Sequence, residues 1–226
     1  HPRPPEAAVH RIRPHGHLAP ARAGRRIQYP HLQRVRRFLV AVAGGETVSG
    51  QALELHVFGL GRVPRGRAVL RSHARPGDAV FVTGTLGGSI LGRHLTFAPR
   101  LREGLWLQAG GWARAMIDVS DGLATDLRQL AEASGVGVTV DPGSVPVSAA
   151  ARRMADGLSA EAHAWRDGED FELLFTVPAR RVAAFAKAWP RAFPLRITRL
   201  GTITRSRELQ GLPDGQGYEH FRLPPA

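Results

Sequence analysis

The sequence predicts a mixed α/β protein of the α+β class. Short apolar runs of strand length alternate with amphipathic stretches of helix length from residue 79 to residue 203. Glycine- and proline-rich punctuation separates those runs, and no internal repeat competes with this pattern. A chain of 226 residues is long enough to bury a core without covalent staples.

Taken in order, residues 1–37 contain six Pro, five His and nine Arg, with no apolar period of 2 or 3.6. They offer no face to bury, so a basic tract of poor order is expected there. FLVAVAGG (38–45) reads as a strand ending in a tight turn, and ALELHVFGLGRV (52–63) as an alternating strand. A connector rich in turn residues covers 63–78. AVFVTG (79–84) reads as a buried strand ending at glycine, and GGSILGRHL (87–95) as a short helix after a glycine-rich turn. LREGLWLQAGGWA (101–113) reads as a weaker helix, and RAMIDVSDG (114–122) as a strand entering a loop. The clearest helix is 123–134, where Leu123, Leu127, Leu130 and Ala131 share one face and Gly135 supplies the stop. VGVTVD (136–141) reads as a strand and VSAAARRMADGL (147–158) as a helix. FELLFTVP (171–178) and LRITRLGTI (195–203) read as strands, with a helix over 179–189 between them.

Composition excludes several kinds of chemistry. The absence of cysteine removes disulfides, thiolate metal sites, iron–sulfur clusters and a cysteine nucleophile. No apolar run approaches the ~18 residues of a membrane span, and no apolar h-region follows the basic start. The formal net charge of +12 sits mostly in the first 40 residues, which hold nine Arg against one acid, Glu6. Thirty of the 31 basic residues are Arg, a bias that fits GC-rich coding DNA better than a selected phosphate-binding surface. The single Lys187 lies in FAKAW with no glycine-rich loop before it, so no P-loop is present.

Four constellations carry possible chemistry. In Asp118-Val119-Ser120-Asp121-Gly122, two carboxylates flank a hydroxyl between a strand and a helix. These are hard oxygen ligands suited to Mg²⁺ bridging phosphates, and Ser120 or Asp121 could equally cap the helix. Asp167-Gly168-Glu169-Asp170-Phe171-Glu172 places four acids in six residues. They form either a solvated acidic turn or a site that takes hydrogen bonds or metal. Gly44-Gly45-Glu46-Thr47 and Thr83-Gly84-Thr85-Leu86-Gly87-Gly88 are glycine turns that permit close backbone approach to a phosphate. Each reads equally well as a plain tight turn.

Together, GGETV (44–48), VPRGRAVLRSHARPGDAVFVTGTLGGS (63–89), AMIDVSDGLATDL (115–127), DGEDFELLFTVP (167–178) and GYEHF (217–221) resemble the thiamine-monophosphate kinase family. That family belongs to the superfamily of aminoimidazole ribonucleotide synthetase and selenophosphate synthetase. The resemblance implies a synthetase-like C-terminal domain over 77–226, a remnant of the N-terminal β-sheet, ATP-binding domain over 38–76, and the basic tract 1–37. It implies ATP-dependent phosphorylation of thiamine monophosphate to thiamine diphosphate, with Mg²⁺ and with ATP as co-substrate. By the same resemblance, Glu46, Asp118 and Asp121 match metal ligands, and Gly45, Glu46, Arg71 and Ser120 match ATP contacts. Glu169 and Tyr218 match substrate contacts. A cytoplasmic location is implied, as is a homodimer for full-length relatives; neither a membrane nor nucleic acid is an expected partner.

Two departures from the family pattern stand out. Position 46 is Glu where the family usually has Asp, which keeps the charge and lengthens the arm by about 1–1.5 Å. The family's N-terminal half, with its further metal-binding acids, has no counterpart in residues 1–37, which contain no Asp. A frameshifted or truncated gene is the expected origin of that tract, with a genuine short variant as the alternative, and impaired turnover is the expected consequence. The rival functions are a non-catalytic module that binds nucleotide or thiamine phosphate, and a basic nucleic-acid-binding protein.

Overall fold

The computed structural model describes residues 61–213, all within one unit, Gly61–Ala226. The strand expected at 38–45, the part of the strand expected at 52–63 that precedes Gly61, and Gly45, Glu46 and Tyr218 lie outside the described residues, and 61–63 are not in a strand.

Six strands form one sheet: β1 (Ala79–Thr83), β2 (Met116–Asp118), β3 (Gly137–Val140), β4 (Leu173–Val177), β5 (Ile197–Thr204) and β6 (Leu209–Gln210). Their order is β2-β4-β1-β5-β3-β6, antiparallel throughout except for the β3–β6 pair. Strand β1 is buried along its whole length, as its continuous apolar run requires. Its side chains alternate: Val80 and Val82 enter one core, Ala79 and Phe81 the other.

Helices cover both faces. On the first face, α3 (Leu123–Ser134) buries Leu123, Leu127, Leu130 and Ala131, and α4 (Ala160–Arg166) adds Ala164 and Trp165. On the second, α2 (Leu101–Ala109) inserts Leu107, and α5 (Val182–Ala192) inserts Phe185 and Trp189. The second core is aromatic: Phe185 meets Phe81 edge-on at 5.1 Å and Phe175 at 5.8 Å between ring centroids. Truncating a fully buried ring of this kind to Ala typically costs ~3–5 kcal/mol. The architecture is thus a three-layer α+β sandwich.

Two readings need correction. The stretch 147–158 is not a helix; it holds only a 3₁₀ turn at Ala151–Arg153. The hydroxyl of Ser148 is the reason, since it donates to the Gly87 carbonyl (2.5 Å) and accepts from Ala151 N–H (2.9 Å), tying the chain into a turn. The real helix, α4, starts after Ser159, whose hydroxyl accepts from Ala162 N–H at 3.1 Å as an N-cap. The expected helix at 87–95 is broken by Gly92 (φ 117°) into a 3₁₀ turn, Ser89–Leu91, and the one-turn α1, Arg93–Thr96.

Candidate functional site

The ends of β1 and β2 and the start of β4 bring the sequence motifs to one edge of the sheet. Asp118 ends β2 opposite Leu173 of β4. Beyond that point the two chains stay zipped by backbone hydrogen bonds of 2.8 Å: Val119 N–H to the Glu172 carbonyl, Phe171 N–H to the Val119 carbonyl, and Glu169 N–H to the Ser120 carbonyl. The Asp118–Asp121 loop and the acidic 167–172 loop are therefore one unit, although about 50 residues separate them in sequence.

The capping alternative for Ser120 and Asp121 fails. Helix α3 takes Gly122 as its N-cap with no side-chain cap bond. Its first turn is held from inside by Asp126, whose Oδ2 accepts from both Ser120 N–H and Asp121 N–H at 3.0 Å. The Ser120 and Asp121 side chains are left for other partners. Asp126 is buried, and burial together with the charges of Asp121 and Asp118 pushes its carboxyl up to about 7, against the N–H groups that favour its ionised form. This residue was missed at the sequence level, yet it lies three after Leu123 and four before Leu130, on the buried face of α3. A carboxylate on such a face is the signal that could have found it.

Arg71 is connected to the same loop. Its guanidinium donates to Gln129 Oε1 (3.1 Å), and Gln129 Nε2 donates to Asp121 Oδ2 (3.3 Å). Ser134 fixes the segment behind it by donating to the Arg71 carbonyl (2.9 Å) and accepting from Ala74 N–H (3.1 Å). Gln129, also missed from sequence, thus links a predicted nucleotide contact to a predicted metal ligand.

The acidic loop is not a solvated turn. Asp170 and Glu172 are 1% and 0% exposed. Asp170 Oδ2 accepts from Gly87 N–H (2.8 Å), and Asp167 Oδ2 accepts from Gly88 N–H (2.6 Å). Both glycines have positive φ (87° and 71°), and an added Cβ would run into the backbone at Ala164 and Ala151. The glycine turn is therefore an anion cradle, as its composition allowed, but the chain's own carboxylates fill it. Burial pushes the Asp170 carboxyl up to about 7, opposed by the Gly87 N–H and the Arg93 charge.

Glu172 is the centre of a buried charge hub. Its Oε2 accepts from Thr83 Oγ1 (2.6 Å) and Arg100 Nε (2.7 Å), and its Oε1 from Arg100 Nη2 (2.7 Å) and Arg93 Nη2. A Cβ at Gly84 would overlap this carboxylate. Of the four acids only Glu169 is exposed. Its φ of 60°, and the 50° of Phe171, place two non-glycine residues in the left-handed region. Phe171 stacks on Phe97 at 4.2 Å in return.

Among the described residues, no three acidic or histidine side chains converge on one point as a complete metal cage. Asp118 and Asp121 offer two carboxylates. That set suits Mg²⁺, which is usually held by one or two carboxylates, substrate phosphates and waters. No helix of the described residues is long and apolar enough to cross a membrane.

The chain and its fold have known relatives. Residues 75–212 match the family described as AIR synthase related protein, C-terminal domain, and the chain belongs to that family. Within it, the chain is 39% identical over 177 residues to thiamine-monophosphate kinase of Rhodopirellula baltica, covering 76% of this chain and 54% of that protein. It is 36% identical over 213 residues to thiamine-monophosphate kinase of Salmonella typhimurium, covering 80% and 63%. Thiamine-monophosphate kinase from Stenotrophomonas maltophilia K279a superposes with a TM-score of 0.57 at 32% identity, covering 66% of this chain and 54% of that one. AaThiL complexed with AMPPCP and TMP gives 0.57 at 29%, covering 68% and 54%. The chain therefore spans between about half and two thirds of the length of these relatives.

Proposed function

We propose that this chain serves the ATP-dependent phosphorylation of thiamine monophosphate to thiamine diphosphate. The observation that carries the reading is the zip between the Asp118–Asp121 loop and the Glu169 loop. It puts two candidate metal ligands, a candidate ATP contact and a candidate substrate contact on one edge, as transfer between two bound phosphates needs. The names of the relatives, and AMPPCP and TMP in the AaThiL complex, support the same chemistry.

In this reading Asp118, Asp121 and Glu46 hold Mg²⁺, and Gly45, Glu46, Arg71 and Ser120 contact ATP. Glu169 and Tyr218 contact the thiamine moiety. When bound, Mg²⁺ supplies positive charge that offsets the repulsion between the two phosphate-bearing substrates. The chain's own part is positioning. Gln129 keeps Asp121 and Arg71 in a fixed relation, so the nucleotide meets its cation and its arginine in one pose. Asp126 lies beneath the loop and orders its backbone. Glu169, exposed and anchored by its own N–H to the Ser120 carbonyl, presents an acceptor beside the ATP contact. The same reading assigns the protein to the cytoplasm, and a nucleotide co-substrate supports that assignment.

The test is a coupled assay for thiamine diphosphate formation with ATP and Mg²⁺, run beside calorimetry of Mg²⁺–nucleotide binding. Product formation supports the reading. Nucleotide binding without product at saturating substrate would replace it with the non-catalytic binding module.

A further inference from the structure

The four acids of the 167–172 loop divide into two kinds. Asp167, Asp170 and Glu172 are spent on internal partners, and Glu169 alone faces outward. The internal partners of Glu172 are unusual for their cost. A buried carboxylate is tolerated only with its lone pairs satisfied, and here four donors from three residues converge on it. Arg93 and Arg100 are 27% and 21% exposed and close the carboxylate off from solvent. Arg100 presents its Nε–Nη2 edge as a two-point fork that fixes the orientation of the carboxylate plane. Arg93 adds a donation to the Thr85 carbonyl at 2.6 Å and lies 3.9 Å from Asp170 Oδ1.

The backbone of Glu172 then carries this orientation outward. Its carbonyl takes Val119 N–H, the first of the three bonds that hold Asp118, Ser120 and Glu169 in mutual register. The residues between are bent at Glu169 and Phe171 into the left-handed region that residues with a Cβ avoid. Such a loop keeps its shape only while both ends are fixed, and Glu172 is one of those ends. We infer that Arg93, Arg100 and Glu172 are positioning residues that set the register between the Asp118–Asp121 loop and Glu169. What the two loops do in register rests on the kinase reading, whereas how they are held does not.

The test uses the full 226-residue chain and the variants Arg100→Ala, Arg100→Lys and Arg93→Ala. Each leaves Glu172 with at least one guanidinium, so a variant is available even if one of them fails to fold. Amide hydrogen exchange is read at Val119, Glu169 and Phe171, with Val80 and Val82 of β1 as internal controls. Arg100→Ala is expected to speed exchange at the three zip amides at least tenfold while the β1 amides hold within twofold. Arg100→Lys, which keeps the charge and loses the fork, falls between Arg100→Ala and the parent. Mg²⁺-dependent nucleotide binding weakens in the same order. A hub that is merely structural moves zip and β1 amides together, in step with the melting temperature, and that result overturns the inference. Unchanged zip amides in all three variants overturn it as well. If the parent chain binds no Mg²⁺–nucleotide, the kinase reading falls and the exchange pattern still decides the positioning role.

Discussion

Replacing Glu169 by glycine should make the protein more stable and its site worse. Glu169 sits at φ 60° with its side chain exposed, so the substitution removes left-handed strain and little packing. That strain is worth roughly 1–2 kcal/mol for a residue with a Cβ. Against it stands the added freedom of glycine in the unfolded chain, about 0.4–1 kcal/mol. The balance favours Glu169→Gly by about 0.5–1 kcal/mol, which corresponds to a rise in Tm of about 1–4 °C for a chain of this size. Phe171→Gly is the control, because its φ of 50° offers the same relief but the variant loses the ring stacked on Phe97 at 4.2 Å. Its Tm should fall. Thermal melts by circular dichroism measure both, and calorimetry with thiamine monophosphate should show weaker binding for Glu169→Gly. A lower Tm for Glu169→Gly would refute the reasoning, since it would mean that the Glu169 side chain stabilises the fold by more than its backbone strains it.

Other perturbations test separate parts of the site. Asp118→Asn and Asp121→Asn should each weaken Mg²⁺-dependent nucleotide binding by tenfold or more, on the order of 1.4 kcal/mol; calorimetry showing both unchanged would remove them as ligands. Gln129→Ala should weaken nucleotide binding severalfold with Tm within about 1 °C, since the residue is half-buried and joins only Arg71 and Asp121; an unchanged Kd would show that the link does not matter. Asp170, raised from 3.8 to about 7, keeps a proton in the folded state that the unfolded chain has already released in that window. Stability should therefore fall as pH rises from about 4 to about 7, by up to ~1.4 kcal/mol per pH unit from this group. Asp170→Asn should flatten that slope in urea titrations, leaving the similar contribution of Asp126; identical slopes in variant and parent would contradict it. His163 is raised for a different reason: burial opposes its charged form, but the hydrogen bonds its ring N–H groups donate to Asp167 (3.1 Å) and Asp156 (3.0 Å) outweigh that and raise its pKa. Its stabilisation is full below about 6.5 and is lost as pH climbs through the raised value, so His163→Gln should lose more stability at pH 5.5 than at pH 8.5; equal losses at both pH values would be inconsistent with a charged imidazole.

Much of the site was legible because its signals are local. Leu123–Ser134 reads from apolar spacing and the Gly135 stop, and the structure gives the same limits. The Asp118–Asp121 motif announces a strand-to-helix junction by its position between two apolar runs. What stayed hidden depends on partners distant in sequence. Glu172 is separated by 79 residues from Arg93 and by 72 from Arg100, so its burial cannot be read from its neighbours, which look like an acidic surface turn. The stretch 147–158 misled for a related reason. Its Ala and Arg content favours helix, but Ser148 is bound to a carbonyl 61 residues away. Helix α4 carried a readable sign, Ser159 as N-cap, that its short length obscured.

The filled glycine turn has a consequence for the whole sheet edge. Gly87 and Gly88 point their N–H groups at Asp170 and Asp167, carboxylates of the same chain. The turn therefore behaves as a receptor whose ligand is covalently attached. A tethered and already oriented anion competes at a high effective concentration with anything dissolved. Phosphate or sulfate in solution cannot displace it without leaving two carboxylates unpaired, that of Asp170 buried, and freeing the loop that presents Glu169. Anions added to this protein are thus directed away from the motif that looks most like an anion site. They are left to the open edge, where Arg71 and the α3 junction lie, and the chain's own acids decide where a foreign phosphate can settle.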